Sequence, residues 1–361
     1  MAYQKVGTPR FYIDLPSYIT SMGGEIITNS DKKLFNLDPN TTKVADFSEP
    51  YDTDVGDNMT GYPTGQNGLE VEFHDEIKNL CNVESMYIAL LNFNKKVFQY
   101  KVHGDDVENI LNSNFAGSGG VEGHRIQVWD KGCSISIFKS DSFELERLKN
   151  KFRLNNLIDI NSEEQMLSLD VGCISFGSYY DMPQSPELDI TMEIEFDGFD
   201  TIKTLGGATM TNVRYAGSPW WYDVDGNKAE PWAVGESSAT TTKRNGRRTW
   251  NMKFNYLDEK DLFSSNYTSS DYMSNLINYS ISDIEVYDGR SHHLFNINND
   301  DSFVSQVLNK VGNGQRFIFQ PNNTANNPSD FAIAMLDQDS LQIKQVANGV
   351  YDISLKITEV W

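Results

Sequence analysis

The sequence predicts a mainly β protein, and three observations carry that prediction. In 248–256, Trp250, Met252, Phe254 and Tyr256 fall on one face of an extended chain, and Thr249, Asn251, Lys253 and Asn255 fall on the other. In 350–358 the pattern returns, with Tyr351, Ile353, Leu355 and Ile357 opposed to Asp352, Ser354, Lys356 and Thr358. Side chains of a strand alternate faces, so these runs read as half-buried antiparallel strands. The chain also carries 20 Phe, 17 Tyr and 6 Trp against 11 Pro, a balance that suits pleated surfaces. Lastly, short apolar runs recur between turn signals, as in a β-sandwich.

Residues 1–68 read as an extended N-terminal arm. Two short apolar pieces, Phe11-Tyr12-Ile13-Asp14 and Tyr18-Ile19-Thr20-Ser21-Met22, precede Gly23-Gly24 and a polar stretch over 36–68. Such a composition buries little, and the arm is expected to lie extended over something else. Residues 69–165 read as a β-sandwich or jelly-roll-like domain. Its strands are 69–73, 85–93, 97–102, 126–129 and 134–138, with Gly117-Ser118-Gly119-Gly120 as a turn. Residues 166–361 form the last unit, with an insertion at 206–246. Here Leu169, Val171 and Cys173 alternate, and then Leu188, Ile190, Met192, Ile194 and Phe196 do so. Strands at 316–319, 331–336 and 340–346 precede the last one. One or two short helices are expected, at 258–263 and 301–308; Asp300 or Asp301 would cap the second and Gly312 would end it.

The net charge of −21 argues against a generic nucleic-acid binder, which needs clustered Lys and Arg. It suits a surface past which DNA moves without sticking, and equally one whose acidity keeps a protein in solution. No apolar run reaches the roughly 18 residues of a membrane span, and residues 1–10 lack the apolar core of a secretory signal, so synthesis in a cytosol is expected. Cys81, Cys133 and Cys173 match neither a disulfide framework nor a zinc pattern and read as buried free thiols.

Catalytic signatures fail one by one. Around Ser175 the run Gly172-Cys173-Ile174-Ser175-Phe176-Gly177 misses the G-x-S-x-G spacing of a nucleophile elbow. The glycines at 117–123 lack the register of a dinucleotide cradle, and no Walker sequence is present. His292 and His293 are adjacent, which points them to opposite faces of an extended chain. No enzyme, cofactor or metal is expected. The weak metal candidate is Asp223, Asp225 and Asn227, which alternate oxygen ligands but have no downstream Glu at EF-hand distance, so a plain turn is preferred.

Three groups point to assembly instead. Asp189, Glu193, Glu195 and Asp197 form an acidic strand face, read as a solvated or lumen-facing stripe. The basic knot ending in Arg247 and Arg248 is expected to make ion pairs with that acidic face on a neighbouring copy. Trp220, Trp221 and Trp232 either stack on a sugar or anchor a protein interface; the interface reading is preferred because Trp and Arg dominate binding energy.

The stretch 172–361 resembles virion structural proteins of tailed bacteriophages. The likeness rests on the run from Gly177-Ser178-Tyr179-Tyr180-Asp181-Met182-Pro183 to Leu188, on Gly206-Gly207-Ala208 and on Gly246-Arg247-Arg248-Thr249-Trp250. Phe317-Ile318-Phe319-Gln320-Pro321 and the closing Lys356-Ile357-Thr358-Glu359-Val360-Trp361 complete it. Their order is similar to that of distal tail and minor tail proteins, which implies a tail-tube-like β fold in 166–361 and ring assembly at a tail tip or baseplate. Tyr87-Ile88-Ala89-Leu90-Leu91-Asn92-Phe93 looks like a strand of phage adaptor jelly rolls, with Phe93 where that motif has a His. The resemblance implies a structural subunit of a phage tail, joined to itself and to other tail proteins through sheet edges and the N-terminal arm. It would reside in the virion after assembly in the host cytoplasm, with genomic DNA passing nearby unbound and no membrane partner. A carbohydrate-binding host-attachment module is the alternative.

Overall fold

A computed structural model describes residues 7–28, 30–40, 42–47, 68–73, 85–93, 98–104, 133–139, 151–159, 167–188, 190–195, 199–213, 221–222, 228–229, 246–263, 302–312, 314–325 and 330–360. Its elements run β1 (Arg10–Ile13), α1 (Leu15–Ser21), β2 (Ile26–Thr28), a 3-10 turn (Lys32–Phe35), β3 (Lys43–Asp46), β4 (Gly68–Phe73), β5 (Ser85–Phe93), β6 (Phe98–Gly104), β7 (Cys133–Lys139) and β8 (Lys151–Asp159). Next come β9 (Ser168–Asp181), β10 (Thr191–Glu195), β11 (Phe199–Lys203), β12 (Thr209–Val213), β13 (Trp221–Tyr222), β14 (Lys228–Ala229), β15 (Arg247–Asp258) and α2 (Glu259–Leu262). A π-helical turn (Val304–Leu308) runs into α3 (Asn309–Val311), and β16 (Phe317–Gln320), β17 (Ala332–Leu336), β18 (Ile343–Ala347) and β19 (Val350–Glu359) close the chain. The protein is mainly β, as its alternation predicts.

Eleven strands form one antiparallel sheet with the path β10-β15-β19-β17-β16-β1-β9-β5-β7; β18 adds to β19 and β3 to β9. A second sheet has the order β2-β4-β8-β6, and β11-β12 and β13-β14 are two-stranded ladders. The pairing β5–β9, from Met86↔Ser178 to Phe93↔Val171, crosses the boundary expected near residue 165. Strand β8 lies in a segment where the sequence pattern predicts no strand.

The middle of the large sheet is covered on both faces. Phe11, Ile13, Phe317, Phe319, Ala332 and Ala334 pack into one core. Their alternate neighbours Tyr12, Ile318, Phe331 and Ile333 pack into a second. Two-sided burial explains why Arg316-Phe317-Ile318-Phe319 and Ala332-Ile333-Ala334 are nearly continuous apolar runs with no alternation. The π turn and α3 cap the first core with Phe303, Val307 and Val311. Ser302 caps this helical piece, its Oγ accepting from Ser305 N at 3.3 Å, and Gly312 N donates to Leu308 O at 2.8 Å where the helix was expected to end.

The arm expected at 1–68 is corrected for the described residues up to 47. Strand β1 lies between β9 and β16, with Arg10↔Asp181 and Arg10↔Gln320 both in register. The Arg10 guanidinium grips Asp181 through two bonds of 2.6 and 2.7 Å and lies 4.4 Å from the Tyr179 ring centre. Burial alone would lower the Arg10 pKa, but the hydrogen bond to Asp181 holds it above its ordinary value. Helix α1 comes at once because Asp14 caps it and Pro16 presets its first turn. Apolar residues spread over two strand faces cannot lie free in water; they are core, and only a purely local pattern makes them look like an arm.

Candidate assembly surface

The long strand β15 sets the geometry. Its inner face buries Trp250, Met252 and Phe254 against Ile353, Leu355 and Ile357 of β19. Past Phe254 the pairing shifts by a bulge, Tyr256 takes φ +58°, and Leu257 turns inward in its place. Tyr256, expected on the inner face, is therefore 74% exposed. The extra residue of a bulge shifts the rest of the strand onto the opposite face.

The basic and acidic groups meet within one chain. Strand β10 pairs with β15, placing Glu193 opposite Thr249 and Glu195 opposite Arg247. Gly246, at φ +89°, makes this approach possible, since a Cβ there would collide with Glu195 O. Arg248 is buried and bonds Glu359: Nη2 to Oε1 at 2.9 Å and Nε to Oε2 at 3.1 Å, with Nη2 also donating to Phe331 O at 2.6 Å. Its guanidinium lies 5.0 Å from the Trp250 ring centre. The pairing expected with a neighbouring copy is thus corrected for Arg248, whose partner is internal. The signal was available: two antiparallel strands, one starting with Arg and the other ending with Glu, bring those residues together.

Glu193 and Glu195 are exposed on the polar outer face, where Asn251 Nδ2 donates to Glu193 Oε1 at 3.4 Å. On the same face Lys356 meets Asp337 at 2.6 Å, and Thr249 meets Thr358 at 3.1 Å. The hydrogen bond between Lys356 and Asp337 raises the pKa of the first and lowers that of the second. A shallow groove of about 210 Å³ crosses this surface between Thr191, Asn251, Lys253, Gln338, Ser354 and Lys356. Trp221 lies in β13, paired with Ala229 of β14. Asp189, Asp197, Trp220, Trp232, Asp223, Asp225 and Asn227 lie outside the described residues, as do His292, His293 and the strand expected at 126–129.

One polar chain has no signature in the sequence. Ser175 Oγ donates to Asp14 Oδ1 at 2.6 Å and lies 2.7 Å from the Tyr87 hydroxyl; Ser17 N donates to Asp14 Oδ2 at 3.0 Å. Burial pushes the Asp14 carboxyl up to about 6, against the pull of its bonds from Ser17 and Ser175. Burial likewise raises Tyr87 well above its ordinary value. Ser175 sits mid-strand in β9, and all three groups are buried, so no substrate reaches them. The network ties α1 to the sheet. Cys173 is buried, as expected. Among the described residues, no group of three or more His, Cys, Asp or Glu is placed to hold a metal ion, and no helix is long and apolar enough to cross a membrane.

No family model, curated protein or solved structure matches this chain.

Among the described residues, the end of the sheet at β10 is left uncovered. All five residues of β10 are exposed, and Met192 and Ile194, 36% and 45% exposed, continue the inner row that Trp250 and Arg248 occupy on β15. The core stops one strand short of the sheet's edge. Beyond β10, the β11–β12 ladder sets Ile202 opposite Met210, 66% and 64% exposed, with Leu205 fully exposed between the strands.

Proposed function

We propose that this chain is a structural subunit of a bacteriophage tail, at the tip, the baseplate or a ring beside the tube, and that it works by joining copies of itself through sheet edges. The observation that carries the reading is the bare end of the large sheet, where β10 is exposed on both faces and has no described strand on its outer side. An open edge with apolar side chains is a template for another chain, and monomeric proteins blunt such edges with very short strands, charged side chains or Pro. Strand β10 has no Pro, and its two Glu lie on the face opposite Met192 and Ile194, which leaves that apolar face unguarded. The resemblance of 172–361 to distal and minor tail proteins supports the same reading, with a tail-tube-like domain there and a jelly-roll-like one in 69–165. Glu193 and Glu195, on the outer face of a chain of charge −21, suit a surface that passes DNA without holding it.

Light scattering and negative-stain micrographs of the purified protein test the proposal. Closed rings of fixed subunit number are expected. A monomer that persists at high concentration, or glycan binding abolished by Trp221→Ala in such a monomer, would replace it with the attachment-module reading.

A further inference from the structure

Asparagine is followed by glycine at 67–68, 245–246, 313–314 and 348–349. We propose that Asn348 is a self-modification site, at which the backbone nitrogen of Gly349 converts the side-chain amide into a carboxylate and so loosens the contact that seats α2.

The chemistry asks for an Asn side chain free to swing onto the main chain and a following nitrogen that nothing shields. It also asks for a backbone that no ladder clamps. Glycine supplies the bare nitrogen, since it has no Cβ to hinder the approach. Asn348 and Gly349 form the two-residue turn between β18 and β19, with Ala347 opposite Val350. Asn348 is exposed, and among the described residues neither its side chain nor the Gly349 nitrogen has a hydrogen-bond partner. Gly349 holds φ +66°, which glycine adopts without strain.

Two of the other glycines are held differently. Gly68 is buried in β4 and paired with Asn155 of β8. Gly246 is buried against Glu195 O, where a Cβ would collide. Such a segment must open locally before its backbone can react. Gly314 is exposed, at φ +81°, and its Asn313 lies outside the described residues. What sets 348–349 apart from that pair is the place where its product would form.

The step needs no reactant but water. Gly349 N attacks Cγ of Asn348, the N–Cγ bond forms, the Cγ–Nδ2 bond breaks, and the glycine amide proton leaves with the ammonia. Water then opens the resulting succinimide at either carbonyl, leaving aspartate or isoaspartate. Both carry a new negative charge, and isoaspartate also lengthens the main chain by a carbon. That charge arrives among carboxylates. Glu259 N donates to Gly349 O at 2.9 Å, and Glu259 Oε2 lies 3.6 Å from where a Cβ on Gly349 would sit. Asp258 faces Val350 across the strand pair. Like charges this close repel, and a lengthened turn moves the carbonyl that holds Glu259 N.

The test is to age the folded protein at pH 6, 7 and 8 and follow amide-to-acid conversion at each Asn by peptide mass spectrometry. Conversion at Asn348 should rise with hydroxide concentration and outrun Asn67 and Asn245 at least about tenfold, while in denaturant the three react alike. Hydrogen exchange at the Glu259 amide should quicken in the aged protein and stay slow in Asn348→Gln aged beside it. A folded protein that keeps the Asn348 amide while the denatured chain loses it overturns the proposal. So does Asn245 reacting as fast as Asn348 in the folded protein. Full conversion with Glu259 exchange unmoved overturns the link to α2. The reaction lies within one chain, so its failure and that of ring assembly are told apart.

Discussion

Strands β1 and β10 are four and five residues long, sit in the same sheet and each offers two large apolar side chains on one face, yet they live in opposite environments. In β1 every residue is buried, because cores lie on both sides of the sheet at its middle. In β10 every residue is exposed, because neither core reaches that far. Between them, β15 and β19 send only their inner-face apolar side chains into a core. A strand's pattern therefore fixes which side chains share a face, and the layer above that face decides whether they are hidden.

The largest effect should separate the two strands directly. Phe11→Ala removes a ring in contact with Phe303, Phe317 and Phe319 and should cost about 3–5 kcal/mol. Ile194→Ala should change the stability of the isolated subunit by no more than about 0.5 kcal/mol. Urea unfolding of both variants would break the comparison if their midpoints moved alike. Next, Glu359→Ala leaves the buried Arg248 without its counter-charge and should cost about 3–5 kcal/mol, whereas Glu195→Gln on the exposed strand should leave the midpoint unmoved.

The third prediction concerns Asp14, the residue after β1. Its carboxyl titrates near 6 in the folded protein and near 3.8 when unfolded. The folded state holds the extra proton between those values, so the stability contributed by neutral Asp14 is full below about pH 4 and is lost as pH rises through about 6. The difference amounts to roughly 3 kcal/mol. Asp14→Asn, which keeps the helix cap, should flatten that part of the stability–pH curve and leave the variant the more stable one at pH 7–8. Unfolding midpoints of the two proteins measured from pH 4 to pH 8 would show it; parallel curves would mean that the carboxyl is not buried as described. The smallest effect belongs to the bulge. Tyr256→Gly relieves a left-handed backbone but adds unfolded-state freedom, so thermal melting should show a gain between zero and about 1 kcal/mol.

Much of the sheet is legible in the sequence because alternation is a local property. The runs at 85–93, 248–254 and 350–358 need no knowledge of their partners. The stop at Gly312 is legible from capping chemistry. What is not legible depends on distant parts of the chain. The short apolar pieces near residue 12 and residue 19 look insufficient for a fold, since their partners at 179–181 and 317–320 are far away in sequence. The Tyr256 inversion depends on one extra residue in a strand pair, which a periodic pattern does not register. At the assembly surface the acidic and basic groups stand out by composition, but their meeting within one chain requires the register of β10 on β15. The apolar exposure of β11 and β12 escapes because nothing in the glycine-interrupted run from 206 onward signals a strand.

The position of β1 has a consequence for how the protein is made. Tyr12 donates to Gln320 across 308 residues of chain, and the sheet's middle is incomplete until that partner exists. At ordinary rates of translation, roughly 15–60 s separate the emergence of the two from the ribosome. During that interval Phe11, Tyr12 and Ile13 can pair with β9 at most on one side, and only a nascent chain that has passed β16 and β17 can close the two cores around them. A product cut short before residue 317 would keep β1 as a bare edge, so the fold itself withholds a completed sheet from any unfinished copy.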